Sequence, residues 1–323
     1  MRRGLGCLVI TTGLRSYPLN LIWIMPAQGA CGFLAEGCPV PVTPYSQPEG
    51  PMSEALLETL RNPGTTLSAI RAQAPLVHNI TNFVAMDLAA NLLLAVGASP
   101  AMAHAEQEVE EFVALANALT INTGTVTNEG MASAVAAARN AASAGTPWVL
   151  DPVGCGATRF RHQNATRLAQ MRPSIIRGNA SEIAALAGSN AAESGGKGVD
   201  ATVAAEAVVE QARRLAQSSE TVVVVTGEVD LVTDGVRLIR VRNGHVLLTR
   251  VTATGCALTA LTGAALAVCP DPMRAAVHAL VILGVAGERA AAAAQGPGSF
   301  RMQLLDALYN LDAHELDREV RIS

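Results

Sequence analysis

The sequence predicts an α/β fold with helices packed on a largely parallel central sheet. Three observations carry that reading. From Met52 onward, short β-branched or apolar runs alternate with longer stretches of helical periodicity, the order that builds parallel strands joined by helices. Polar Gly/Asn/Asp turns close the strand-like runs, as expected where strands point one way and their carboxyl ends share an edge. Hydrophobic residues make up 50% of the 323 and aromatics only 3%, so small alanine and valine side chains supply the apolar bulk and let helices lie close on a sheet.

Taken in order, residues 1–51 do not match this pattern. They hold Arg2 and Arg3, apolar runs at Cys7–Ile10 and Leu19–Met25, and then many Pro and Gly. Neither run is long enough for a signal-peptide core or for the about 20 apolar residues of a membrane span. The segment reads as a tail, and Met52-Ser53-Glu54-Ala55-Leu56-Leu57 as the start of an N-capped helix opening one domain over residues 52–323. Strands are expected at Leu76–His78, Ala118–Asn122, Trp148–Leu150, Ser174–Arg177 and Thr221–Thr226. A later set is expected at Leu231–Thr233, Leu238–Val241 and Val246–Leu248, with Asn243-Gly244 as a hairpin turn before the last. Helices are expected at Val84–Val96, Met131–Ala144, Thr202–Gln217, Cys256–Val268 and Met273–Ala294. In the first of these, Ala85, Leu88, Ala89, Leu92, Leu93 and Val96 repeat at helical spacing. Ser194–Gly198 reads as a surface loop.

Composition excludes several classes of function. A formal net charge of −4 and few aromatics argue against nucleic-acid binding, which draws on a basic excess and stacking platforms. Six cysteines without a C-x-x-C pair or a histidine cluster argue against zinc and fit a reducing, cytoplasmic setting. No P-loop and no G-x-S-x-G elbow occur, and Gly154-Cys155-Gly156-Ala157-Thr158-Arg159 ends in the wrong residue for a dinucleotide fingerprint.

The chemistry-bearing residues should follow the strands. Asn122-Thr123-Gly124, Asp151-Pro152-Val153-Gly154, Arg177-Gly178-Asn179 and Thr226-Gly227-Glu228 all do. The sharpest feature is Val251-Thr252-Ala253-Thr254-Gly255-Cys256, small residues opening directly into an apolar helix. The free N–H groups and positive end of that helix suit a phosphate or a developing oxyanion, and the same field should lower the Cys256 thiol pKa. Asn179 and Glu182, three apart at a helix start, could reach a hydrated Mg²⁺; they read equally as a capping box. Arg177 offers a planar donor fork for phosphate.

These motifs, with Pro75-Leu76-Val77-His78-Asn79-Ile80-Thr81-Asn82, Gly97-Ala98-Ser99-Pro100-Ala101-Met102, Val224-Val225-Thr226-Gly227-Glu228 and Gly296-Pro297-Gly298-Ser299-Phe300, resemble the hydroxyethylthiazole kinase family of the thiamine pathway. The match runs in order from about Met52 to Leu311. The resemblance implies a ribokinase-like three-layer sandwich and transfer of the γ-phosphoryl of ATP, with Mg²⁺, to the hydroxyethyl group of 4-methyl-5-(2-hydroxyethyl)thiazole. It also implies a homotrimer with sites between subunits. By motif, Met102, Ala253 and Gly255 fall at the thiazole site, Arg177 and Thr226 at the ATP site, and Asp151 and Glu182 where acidic residues handle Mg²⁺. Cys256 falls where related kinases carry an aspartate base. The family commonly reads Gly-Thr-Gly-Cys where this chain has Ala253-Thr254-Gly255-Cys256, which puts the backbone dihedral at Ala253 in question. The alternatives are another ribokinase-like small-alcohol kinase, such as a hydroxymethylpyrimidine kinase, and a non-catalytic nucleotide sensor.

Overall fold

Apolar runs bounded by turns become strands of one eight-stranded sheet in the computed structural model, which describes residues 54–188 and 205–323. All described residues belong to one unit, Gln47–Ser323. The expected tail, the loop at 194–198 and the start of the helix expected from Thr202 lie outside the described residues, except that helix from Ala205 on.

The strands are β1 (Leu76–Ile80), β2 (Ser99–Ala101), β3 (Ala118–Asn122), β4 (Trp148–Asp151), β5 (Ile175–Asn179), β6 (Val222–Thr226), β7 (Asp230–Thr233) and β8 (Leu238–Val241). Their order is β2-β1-β3-β4-β5-β6-β7-β8. β1 to β6, with β2 at the edge, pair in parallel, while β7 and β8 add an antiparallel margin. Successive strand residues enter opposite cores, as period 2 requires. Val149, Ile175, Val222 and Val224 face one layer, and Leu150, Ile176, Val223 and Val225 the other. Both faces are covered, which is why the parallel strands are apolar throughout.

The helices are α1 (Glu54–Leu60), α2 (Pro63–Gln73), α3 (Met86–Val96), α4 (Val109–Leu115), α5 (Asn128–Ala144), α6 (Arg159–Ala169), α7 (Ala180–Leu186), α8 (Val209–Ser219), α9 (Thr254–Val268), α10 (Pro272–Ala293), α11 (Pro297–Asn310) and α12 (Ala313–Arg318). α1–α3 and α9–α12 bury their apolar positions on one face of the sheet, and α4–α8 on the other. The result is the expected three-layer sandwich. α9 lies against β1, β3 and β4. It fits there through small residues: a Cβ on Gly263 would come within 2.6 Å of Thr120 Cγ2. Among the described residues α10 alone is long and apolar enough to cross a membrane, and its apolar window is mostly buried within the fold.

Two expectations fail at the sheet margins. Val246–Leu248 is not a strand but part of a 3₁₀ turn, Val246–Arg250, and Asn243-Gly244 turns no hairpin. Asn243 is tied instead to the chain end, donating to Glu319 O (2.9 Å) and accepting from Arg321 N (2.9 Å), while Gly244 N–H donates to Glu288 (2.6 Å). The edge of β8 bridges to Ile322 rather than to a following strand. β2 is not legible in the sequence because it has three residues and carries Pro100, tolerated only at an edge.

Candidate active site

At the carboxyl edge, β4 delivers Asp151 and β5 delivers Arg177, both buried. Asp151 Oδ2 accepts from Asn122 Nδ2 (2.7 Å) and Thr259 Oγ1 (2.8 Å), and lies 3.6 Å from Arg177 Nη1. Asp151 Oδ1 and Arg177 Nε have no hydrogen-bond partner although both are buried. Burial pushes the Asp151 carboxyl above its usual range, and Arg177 and the two hydrogen bonds pull against it. Arg177 Nη2 donates to Thr226 Oγ1 at 2.9 Å, so the two residues expected at the ATP site do meet.

The start of α9 closes over Arg177. A Cβ on Gly255 would stand 2.8 Å from Arg177 Nη2, so only glycine lets the helix approach so closely. Ala253 is the N-cap, with φ +67° and no side-chain cap, which leaves the first N–H groups of α9 without a capping acceptor from their own N-cap. The left-handed backbone that the missing glycine would have taken freely is therefore adopted by alanine, at a cost of roughly 1 kcal/mol.

Cys256, half-buried in the first turn, accepts at Sγ from Asn82 Nδ2 (3.2 Å). Asn82 also donates to Asn122 Oδ1 (2.9 Å), which joins the sulfur to Asp151 through two amides. The expected lowering of the thiol pKa is wrong. Burial first, and then the charge of Asp151, push Cys256 up to about 11, outweighing Arg177 and the Asn82 bond. Cys256 is a neutral thiol at pH 7.

Glu182 forms the capping box at α7: Asn179 Oδ1 accepts from Glu182 N (2.9 Å), and Glu182 Oε2 accepts from Asn179 N (2.8 Å). Its other oxygen accepts from Gly154 N (2.8 Å). The Asn179 side chain is thus consumed as a cap and accepts from Ser181 Oγ as well. Burial and the nearby Asp151 charge raise the Glu182 carboxyl. Burial raises both carboxyls and the Asp151 charge raises Glu182 further, surroundings that a cation would relieve, and Asp151 Oδ1 is the oxygen free to meet it. No group of three or more His, Cys, Asp or Glu residues gathers among the described residues.

Met102 directly follows β2, half-buried against the α9 side of the core. His104 ties it to the end of β1: Nδ1 lies 2.8 Å from Met102 O, and Nε2 lies 3.0 Å from both the N and the O of Thr81. A cavity of about 380 Å³ lies alongside, lined by Thr81, His104, Asn122, Thr123, Thr127 and Met131. It meets the cluster at Asn122. Asn82, His104 and Thr259 are not singled out as site residues by the sequence. Asn82 sits inside a recognised motif, and Thr259 one helical turn after Gly255.

With this geometry in view, the relatives are informative. The sequence model of the hydroxyethylthiazole kinase family matches residues 67–314. The chain belongs to the hydroxyethylthiazole kinase family. It is 55% identical over 259 residues to a hydroxyethylthiazole kinase of Cereibacter sphaeroides, covering 80% of this chain and 97% of that one. A Rhizobium etli hydroxyethylthiazole kinase is 53% identical over 258 residues, covering 80% and 99%. The solved hydroxyethylthiazole kinase protein of Pyrococcus horikoshii OT3 superposes with a TM-score of 0.74 at 43% identity, over 81% of this chain and 98% of that one. Staphylococcus aureus pyridoxal kinase, solved with AMP-PCP and pyridoxal, shares the fold at 15% identity and a TM-score of 0.54, covering 67% and 88%. Membership of the hydroxyethylthiazole kinase family makes the chain one of an enzyme family of ribokinase-like fold.

Proposed function

We propose that the protein transfers the γ-phosphoryl group of ATP to the hydroxyethyl group of 4-methyl-5-(2-hydroxyethyl)thiazole, giving the thiazole phosphate used for thiamine phosphate. Family membership supports the reaction. The observation that carries it at the level of residues is the buried, incompletely bonded pair Asp151 and Arg177 beneath the open start of α9.

Phosphoryl transfer is catalysed mostly by positioning and by neutralising charge on the moving group. Arg177, steadied by Thr226, and the N–H groups of Thr254, Gly255 and Cys256 supply donors to that charge in a desolvated place, where they act strongly. Mg²⁺ would be held by Asp151, with Glu182 nearby, and would supply Lewis-acid neutralisation of the phosphate oxygens. The acceptor hydroxyl is oriented at Cys256. A neutral thiol whose sulfur already accepts from Asn82 cannot take a further proton, so Cys256 orients the acceptor by donating its S–H to the hydroxyl oxygen, and the hydroxyl proton passes to a phosphate oxygen as the new O–P bond forms and the bond to the ADP oxygen breaks. Met102, Ala253 and Gly255 line the thiazole.

The same reading takes the protein as a cytoplasmic homotrimer that binds neither nucleic acid nor membrane. Apolar side chains exposed on the described surface, among them Phe83, Val84, Leu94, Met302 and Tyr309, are available for contact between subunits. Residues 1–51 are read as dispensable: a chain beginning at Met52 should match the full chain in melting temperature and turnover.

The test is a coupled ADP-release assay with Mg-ATP against a panel of heterocyclic alcohols. The thiazole alcohol should give the highest kcat/KM. ADP release with a pyrimidine alcohol alone would select the other alcohol kinase, and nucleotide binding with no turnover on any alcohol would select the sensor. Light scattering checks for three chain masses.

A further inference from the structure

Arg161 stands in the first turn of α6, where its backbone N–H is capped by Thr158 Oγ1 at 3.2 Å. Its guanidinium turns back toward the strand ends and spends its donors on three main-chain carbonyls. Nη1 donates to Thr123 O (2.8 Å) and Val153 O (3.0 Å), and Nη2 to Gly124 O (2.7 Å). These carbonyls belong to two loops, one after β3 and one after β4. Each loop orients one of the two site carboxylates. In the first, Asn122 donates to Asp151, and Gly124 N–H (2.9 Å) fixes Asn122 Oδ1. In the second, Gly154 N–H, one residue beyond Val153, donates to Glu182. For each carboxylate, the guanidinium therefore stands one residue away from one of the groups that orient it, Asn122 for Asp151 and Gly154 for Glu182.

The arrangement needs arginine. A planar fork addresses three carbonyls from two directions, whereas an ammonium is a point donor on a flexible stem. The side chain adds little to the core, since the buried positions of α6 are Ala165, Leu168 and Ala169. Gly154 has φ +67°, which glycine adopts freely, and the Arg161 side chain packs beside it, its Cδ 3.5 Å from where a Cβ would stand.

We propose that Arg161 is a positioning residue for the reaction, a clamp that holds the 122–124 and 151–154 loops in register and so sets Asp151 and Glu182 relative to one another. This rests on the reading that those carboxylates serve phosphoryl transfer. The test compares Arg161→Ala and Arg161→Lys with the natural chain in three measurements: kcat and KM for ATP and for the thiazole alcohol, melting temperature, and amide hydrogen exchange by mass spectrometry. For Arg161→Ala, kcat should fall about tenfold or more while both KM values stay within about twofold, because misplaced groups slow the chemical step rather than the encounter. Exchange should speed up in peptides covering 122–126 and 152–158 and not in the sheet. Arg161→Lys should recover only part of the loss, and ethylguanidinium should restore part of the activity of Arg161→Ala. If Arg161→Ala does not fold, Arg161→Lys carries the same comparison.

An unchanged kcat, whatever the melting temperature, would overturn the proposal, as would unchanged exchange in the two loops. A natural chain inactive on every alcohol, with exchange in both loops still accelerated in the variants, would leave the clamp standing and sink the kinase reading instead.

Discussion

α9 and α10 follow one another in the chain and pack in the same layer, yet they begin in opposite ways. α10 opens on Asp271, whose carboxylate accepts from Met273 N (3.0 Å) and Arg274 N (3.4 Å), with Pro272 in the first turn bringing no donor at all. α9 opens on an alanine in a left-handed conformation, with no side chain to receive its first N–H groups. One start is closed by the protein itself. The other is left for something else to close, and beside it stand Asp151 Oδ1 and Arg177 Nε, also unpartnered. Unpartnered buried atoms occur elsewhere too, at His78 Nδ1, Thr166 Oγ1 and Arg213 Nε, and so do helix starts without a side-chain cap, so what marks this place is that a buried carboxylate, a buried guanidinium and an open helix start meet in it.

The largest way to break this contrast is Asp151→Asn. Loss of the charge at the open end should reduce kcat by roughly 10²–10³-fold. The fold should not suffer in proportion. Because burial raises the Asp151 pKa, the group favours folding below its ordinary pKa and that contribution is lost as pH rises through the raised value. At pH 7 the Asp151→Asn variant should therefore melt at or above the natural temperature, with the advantage fading in acid. A kcat near normal would remove Asp151 from the site.

Cys256→Ser is the next largest. A hydroxyl keeps the size and the donor but not the sulfur, and turnover should drop about tenfold, or about 1.4 kcal/mol, with ATP binding unaffected. Full activity would make Cys256 a small residue in a tight turn. Alkylation of Cys256 by iodoacetamide, slow at pH 7, should quicken steadily toward pH 11 with no step at the ordinary thiol pKa near 8.5. A step there would contradict a thiol held neutral by burial and Asp151.

At the closed end, Asp271→Ala should cost about 1 kcal/mol and lower the melting temperature by roughly 2–4 °C, leaving turnover per folded molecule unchanged. The smallest effect sharpens the open end. Ala253→Gly removes the strain of φ +67°, and should raise stability by no more than about 1 kcal/mol, as calorimetry can resolve. A lowered melting temperature would mean that alanine is comfortable there.

How far the sequence could be read depended on how local the signal was. β3 to β7 were legible because each is a short apolar run with a polar turn at its end. β2 and the Asn243-Gly244 turn were not, because their structure comes from partners far along the chain: Pro75 and β1 for the first, Glu288, Glu319 and Arg321 for the second. The site divides similarly. Asp151, Arg177, Thr226 and Gly255 announce themselves at strand ends and a helix start. Asn82 and Thr259 act by reaching across from other elements, and spacing holds no trace of that. The thiol pKa was misjudged because a helix start can be seen in sequence, whereas the burial and the carboxylate that outweigh it cannot.

Gly255 and Gly263 stand eight residues apart on α9. One lets the helix touch Arg177 and the other lets it touch Thr120 on β3. Two contacts about 12 Å apart along a rigid rod fix both its rotation and its advance. The length of this stretch is then as constrained as its composition. A single residue inserted between the two glycines turns one contact about 100° away from the other and shifts it by about 1.5 Å. No choice of side chains could then satisfy both, so between the two glycines substitutions can be absorbed and changes of length cannot.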